Sequence, residues 1–195
     1  MRDVLISLKP YYYYLIGEGI KKVAVRKSYP TAADWSKRAW FYMSRDEKSF
    51  AKIPKEFQEK YRKHFGKVGM RFVCDRITEY ECSSVGFGEL ATTCGTCLTY
   101  DEILNYCNGN DLYGLHITDL VLYDEPRELS EFKHECNGEC ERTRNGKRCN
   151  HLEIDGIGCD CLIPITKAPQ SWQFCVATEP RQTADLRQKG KLYEN

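Results

Sequence analysis

The sequence predicts an α+β domain: a scaffold of short strands flanked by short helices. Three observations predict it. Aliphatic and β-branched runs recur along the chain with strand-like patterning. Between them lie stretches with helical spacing and recognisable caps. One segment, 133–165, turns to Cys, His, Gly and charge and cannot build an ordinary core. With 195 residues and 42% hydrophobic content, the chain can bury one real core and is not disordered as a whole.

Asp3 to Leu8 is a strand that ends at Lys9-Pro10, where the proline suits the first turn of a helix. That helix runs from Tyr11 to Ile16 and stops at Gly17 and Gly19; its four consecutive tyrosines cannot all face inward. Lys21 to Lys27 alternates, with Val23 and Val25 on one side and Lys22, Ala24 and Arg26 on the other, as in a half-buried strand whose basic side chains share a face. Lys37 to Met43 is a second core strand. Lys55 to Phe65 is helical, with Phe57, Tyr61 and Phe65 on one face and Gly66 beyond its end. An extended stretch covers 67–82 around Met70–Cys74 and Ile77. Thr99 and Glu102 form a capping box for a helix to Cys107, stopped by Asn108-Gly109. Strands follow at Tyr113–Thr118, Leu120–Tyr123 and Trp172–Ala177, and the chain is polar from Glu179 onward.

No run approaches the roughly 18 apolar residues of a membrane helix, and the start lacks the apolar stretch of a signal peptide. A soluble, cytoplasmic protein is expected. Eleven cysteines are many for a compartment in which disulfides are rare, so thiolate metal binding explains a tight cluster best. Cys136, Cys140, Cys149, Cys159 and Cys161, with His134 and His151, fall within 28 residues. The Cys136-x3-Cys140 knuckle contains Gly138 and can turn two sulfurs toward one ion; Cys149 and either Cys159 or Cys161 complete a tetrahedral set. The expected ion is Zn2+ in a structural role, because four sulfurs leave no position for water. Disulfides or unrelated thiols are the alternatives. Cys94 and Cys97 make the only Cys-x2-Cys of the chain, read as plain thiols, with a second metal site shared with Cys82 or Cys107 or redox activity as the other options; Cys74 and Cys175 are core residues.

The formal charge of +1 conceals an asymmetry. Residues 1–63 carry 15 Lys+Arg against 7 Asp+Glu, a net +8, and residues 64–195 carry 14 against 21, a net −7. A basic amino-terminal third suggests a surface for a phosphate or polyanion, although the two halves can also neutralise one another.

The stretch Val4–Pro10, the tyrosine-rich helix, and then Gly19-Ile-Lys21-Lys22-Val-Ala24-Val-Arg26-Lys27 resemble the opening of the ASCH domain family. That family shows a G-x-K-x-x-E-x-R signature, matched here by Gly19, Lys21 and Arg26. Tyr113–Leu120, Tyr123–Phe132 and Ala168–Trp172 resemble the small ASCH proteins common in bacteriophages and prophages. The resemblance covers most of the chain apart from 44–66 and 133–165. It implies a PUA-like β-barrel with flanking helices over 1–178, carrying a helical insertion at about 44–66 and the Cys-rich zinc-binding insertion at 133–165, followed by a tail at 179–195. It also implies a cleft lined by the Gly19–Lys27 segment that takes RNA or a nucleotide-like ligand. In that setting Lys9, Lys21, Lys22, Arg26 and Lys27 would neutralise phosphates, and His116 or Trp172, the latter following Ser171, would offer a ring for a base to stack on.

Some members of the family are amidohydrolases acting on N4-acetylcytidine-type nucleosides, and others are proposed ribonucleases. In the amidohydrolases the nucleophilic threonine stands three positions after the signature lysine, where this chain has Ala24, which can neither attack a carbonyl nor move a proton. A hydrolase would have to recruit other groups, such as Lys21, His116 or Cys97. Binding of RNA or a nucleotide is therefore the expected function. The alternatives are a small hydrolase of a modified nucleoside or RNA, and a protein-interaction module acting on a host factor through the zinc insertion.

Overall fold

The computed structural model describes residues 2–30, 35–93, 95–135 and 162–177. Strand β1 (Arg2–Leu8) carries Val4, Leu5 and Ile6 in succession, all buried, because both of its faces are covered. It pairs in parallel with β3 (Trp35–Met43) and antiparallel with β8 (Trp172–Cys175). Beyond β3 lie the long strands β4 (Val68–Tyr80) and β5 (Leu112–Arg127), and β2 (Val23–Arg26) pairs with β5 at the far edge. The sheet order is β2-β5-β4-β3-β1-β8. A small second ladder joins β6 (Lys133–Glu135) to β7 (Leu162–Pro164) and touches β8 through a bridge between Lys133 and Val176.

The two edges of the six-stranded sheet meet. Among the described residues no hydrogen-bonded ladder joins β2 to β1 or β8. Side chains span the gap instead: Arg26 Nη2 donates to the Ser7 carbonyl at 2.9 Å, and Trp172 Nε1 donates to Ser28 Oγ at 3.1 Å. The strong curvature this needs is supplied by register shifts between β4 and β5 at three places, from Val68 to Ile77, since each added residue bends and twists its strand. The two strands expected at 113–118 and 120–123 are one continuous strand. The polar break between them is a kink at Asp119, whose φ of 46° is tolerated by a short carboxylate side chain.

Helix α1 (Pro10–Gly17) begins with its proline at the first turn, where no backbone N–H is needed. Tyr13 and Tyr14 are buried, whereas Tyr11 and Tyr12 are only half-buried, as a helix with one inward face requires. Helices α2 (Glu47–Phe50) and α3 (Lys55–Arg62) occupy 44–66. α3 packs on α1 through edge-to-face contacts of Tyr61 with Tyr13 and Tyr14, at centroid separations of 6.2 and 5.6 Å. α3 ends at Arg62, and Phe65 follows outside it, before Gly66 at φ 77°.

Helix α4 (Ser84–Thr92) has no counterpart in the sequence reading, because Gly86 and Gly88 weaken its helical pattern. Its cap, Ser83 Oγ accepting from Gly86 N, fixes its start. Helix α5 (Tyr100–Cys107) has the expected capping box at Thr99 and Glu102, and Asn108 ends it in the left-handed conformation.

Strand β2 departs from its expected pattern. Val23, Ala24 and Val25 are all buried, so the strand is covered on both faces and is not half-buried. Ala24 and Leu115 lie in the core beneath α1, while Val25 packs with Tyr80, Phe87 and Leu90 under α4 and α5. The helix that the glycines concealed thus supplies the second cover.

Candidate nucleotide-binding cavity

A cavity of about 440 Å³ opens where β1, α1, β2 and α5 converge with the residues preceding β8. Ser7 and Leu8 end β1 there, and Lys9 and Tyr12 belong to the turn into α1 and its first turn. Lys21, Val25 and Arg26 come from β2 and its approach. Glu102, Asn105 and Tyr106 lie at i, i+3 and i+4 on α5 and so share the face turned to the cavity. Leu98, Gln170 and Ser171 complete the lining, and Ser7 N donates to the Ser171 carbonyl at 3.1 Å.

Lys21 is the least exposed of the charged residues that line the cavity, at 4%. Burial lowers its pKa to about 8, with the neighbouring Arg26 lowering it further and Cys97 and Glu102 raising it. Its ammonium donates to the Thr96 carbonyl and lies 5.4 Å from the centre of the Tyr12 ring, so a carbonyl and a π face hold it. The loop that brings Thr96 also starts β2. Gly95, at φ 85°, accepts from the N–H groups of Lys22 and Val23, and a Cβ there would press on Lys22. The middle residues of the Cys-x2-Cys stretch, Gly95 and Thr96, therefore position Lys21 through their carbonyls. Cys97 is exposed, and its Sγ lies 3.5 Å from the Ile20 carbonyl; Cys94 lies outside the described residues.

Arg26 spends Nη1 on the Val25 carbonyl at 2.7 Å and Nη2 on Ser7. Its Nε is buried and has no hydrogen-bond partner among the described residues, and the same holds for Ser7 Oγ. Burial lowers the Arg26 pKa, and the nearby Tyr106 phenol raises it. On the opposite wall, Glu102 serves as the capping carboxylate of α5, accepting from Thr99 N at 2.9 Å. It also raises the pKa of Tyr12, after the effect of burial, by charge repulsion and a hydrogen bond. The lining thus carries three basic residues against one acidic residue.

Four expected site residues meet here: Lys9, Lys21, Arg26 and Ser171. Lys27 stands at the rim, with its ammonium 5.2 Å from the centre of the Tyr106 ring. Lys22 is exposed elsewhere, so the basic residues do not share one strand face: Lys21 precedes β2 and turns inward, while Lys22 turns out. His116 does not line the cavity. It is paired opposite Val23, accepts from Arg76 at 3.2 Å through Nδ1 and meets Thr78 Oγ1 at 2.9 Å through Nε2; burial, then Arg76, lowers its pKa. Trp172 also lies outside the lining, held edge-on to Phe174 and bonded to Ser28, where it helps close the sheet. Tyr12, Glu102 and Tyr106 were not anticipated. The capping box located α5, but nothing local to it indicates that α5 crosses in front of β2.

A wider hollow of about 600 Å³ is lined by Glu79, Glu81, Cys82, Ser83 and Asp111, and its acidic wall repels an anion. Cys136, Cys140, Cys149, Cys159 and Cys161 lie outside the described residues; among those described, no group of three or more Cys, His, Asp or Glu is placed to hold a metal. Among the described residues no helix is long and apolar enough to cross a membrane.

No family model matches the chain, and neither does any curated protein. Three crystal structures from Zymomonas mobilis are similar to it. One is ASCH, at 18% identity and a TM-score of 0.46, covering 88% of this chain and 86% of that one. Another is a variant of that protein with a tyrosine replaced by phenylalanine, at 16% identity and a TM-score of 0.45, covering 89% and 90%. The third is a variant with a serine replaced by alanine, at 16% identity and a TM-score of 0.46, covering 88% and 87%. The chain thus resembles structures bearing the family name that its opening residues suggested.

Proposed function

We propose that this protein binds RNA or a nucleotide-like ligand in the cavity between β1, β2 and α5. The observation that carries the reading is the pairing of two cations that line the cavity, Lys21 and Arg26, with two buried polar atoms that lack partners among the described residues, Arg26 Nε and Ser7 Oγ. Burying cations is costly unless an anion or strong acceptors complete their surroundings, and an unmet buried donor is itself destabilising. A phosphate supplies both a countercharge and acceptors. The exposed Tyr106 and Lys27 suit a base and its backbone. A labelled single-stranded RNA is the direct test. Affinity should fall as salt rises and should drop when Lys21→Ala and Arg26→Ala are combined. Affinity indifferent to ionic strength would sink the reading.

A second reading, hydrolysis of an acylated nucleoside or of RNA, is favoured by one observation. Lys21 is a buried amine with a pKa near 8, within the range of a general base. Ala24 is buried in the core and supplies no nucleophile. Incubation with N4-acylated cytidines and with RNA decides the matter, since turnover lost in Lys21→Ala would establish an enzyme. We also propose a structural zinc on Cys136, Cys140, Cys149 and one of Cys159 and Cys161, from their spacing alone. We also propose a cytoplasmic location, that of the host if the protein is phage-encoded, with the phage-type resemblance of the sequence as its support.

A further inference from the structure

We propose that the cavity selects a phosphate monoester, the terminal phosphate of a nucleotide, over an internal phosphodiester; this rests on the nucleotide-binding reading above. Charge is the first argument. Lys9, Lys21 and Arg26 face one carboxylate, Glu102, so the lining is doubly positive. A phosphate monoester carries about −1.5 to −2 at neutral pH, whereas a diester carries a single charge. Donor supply is the second. Arg26 Nε and Ser7 Oγ have no partner among the described residues, on two residues that line the cavity together with Lys9 and Lys21, and a monoester offers three terminal oxygens where a diester offers two.

The third argument is shape. The Arg26 guanidinium reaches across to the Ser7 carbonyl, and Ser7 N is tied to the Ser171 carbonyl. The first crosses the gap from β2 to β1 and the second continues the β1–β8 pairing, and Arg26, Ser7 and Ser171 all line the cavity, so its wall is closed along these residues. An internal phosphate needs open passage for the chain on both of its sides. A terminal phosphate needs only one.

Calorimetry on the full chain with adenosine 5′-monophosphate, adenosine 3′-monophosphate, adenosine, ribose 5-phosphate and adenylyl-adenosine without a terminal phosphate tests the claim. At least one monoester is expected to bind ten times or more tightly than the dinucleotide and the nucleoside. Ser7→Ala, which leaves the Ser7 backbone bonds in place, should weaken the monoester at least threefold, and an unchanged monoester affinity would overturn the assignment of the phosphate to this wall. Ribose 5-phosphate matching the nucleotides would support monoester selection and assign it to the phosphate alone. Equal affinity for dinucleotide and monophosphate overturns the inference while sparing RNA binding. If neither these ligands nor an oligoribonucleotide binds, the inference and the reading beneath it fall together.

Discussion

Arg26 stands on β2, at one edge of the sheet, and Ser7 on β1, next to the opposite edge strand β8, and the guanidinium Nη2 of the first donates to the main-chain carbonyl of the second at 2.9 Å. Together with Trp172 bonded to Ser28, the arginine side chain does here what a strand ladder does elsewhere in the sheet. Replacing it with methionine, of similar length but without donors, removes two charge-assisted bonds, to Ser7 and to Val25. The expected loss is about 2 to 4 kcal/mol, lowering the thermal midpoint by on the order of 10 °C. Urea denaturation checks it. A midpoint unchanged in Arg26→Met would mean that the edges hold together without this bridge.

Lys21 couples stability and binding to pH with opposite signs. Its native pKa, near 8, lies below the 10.5 of the unfolded chain. Between about pH 8 and 10.5 the unfolded state binds more protons, so stability contributed by this group rises with pH. Anion binding needs the charged amine, so affinity for a nucleotide should fall as pH rises through about 8. Lys21→Arg, which stays charged, is expected to flatten the affinity profile up to pH 9. Measuring both quantities on both proteins separates the effects.

Glu102 opposes the cations it faces. Glu102→Gln keeps a side chain able to complete the capping box yet removes the negative charge. Nucleotide affinity should rise roughly three- to tenfold with little change in stability, a step of about 1 kcal/mol. Weaker binding in Glu102→Gln would show that the carboxylate contacts the ligand as an acceptor.

His64 is buried against Tyr13, its Nδ1 3.2 Å from the Tyr13 hydroxyl, and burial, followed by Lys63 and Lys60, pushes its pKa down to about 4. From pH 6.5 down to 4 the unfolded chain takes up a proton that the native chain refuses. Stability should therefore decline through that window by at most about 1.4 kcal/mol per pH unit. His64→Gln should flatten this part of the acid limb, which denaturation at a series of pH values will show.

Zinc content can be read without any structure of the segment that would hold the ion. Elemental analysis of protein purified without chelator should find about one zinc per chain, lost in Cys136→Ser. Finding none removes the site.

The sequence by itself determined elements whose cause is local. Pro10 at a helix start, the Thr99–Glu102 cap with Asn108 at the far end, and the run Val4–Leu5–Ile6 each specify their structure through neighbouring backbone and side-chain chemistry. It also marked Lys9, Lys21, Lys22, Arg26 and Lys27 as the charges to follow, of which Lys9, Lys21 and Arg26 line the cavity. Only the tertiary structure decided which basic residues turn inward, because Ala24, on the face that the local pattern leaves to solvent, packs into the core with α1, while α4 and α5 cover the Val25 face from some sixty or more residues away along the chain. His116 and Trp172 left the site, and Tyr12, Glu102 and Tyr106 entered it, for the same reason: long-range packing chooses the neighbours of a side chain, and periodicity within a segment carries no record of that choice.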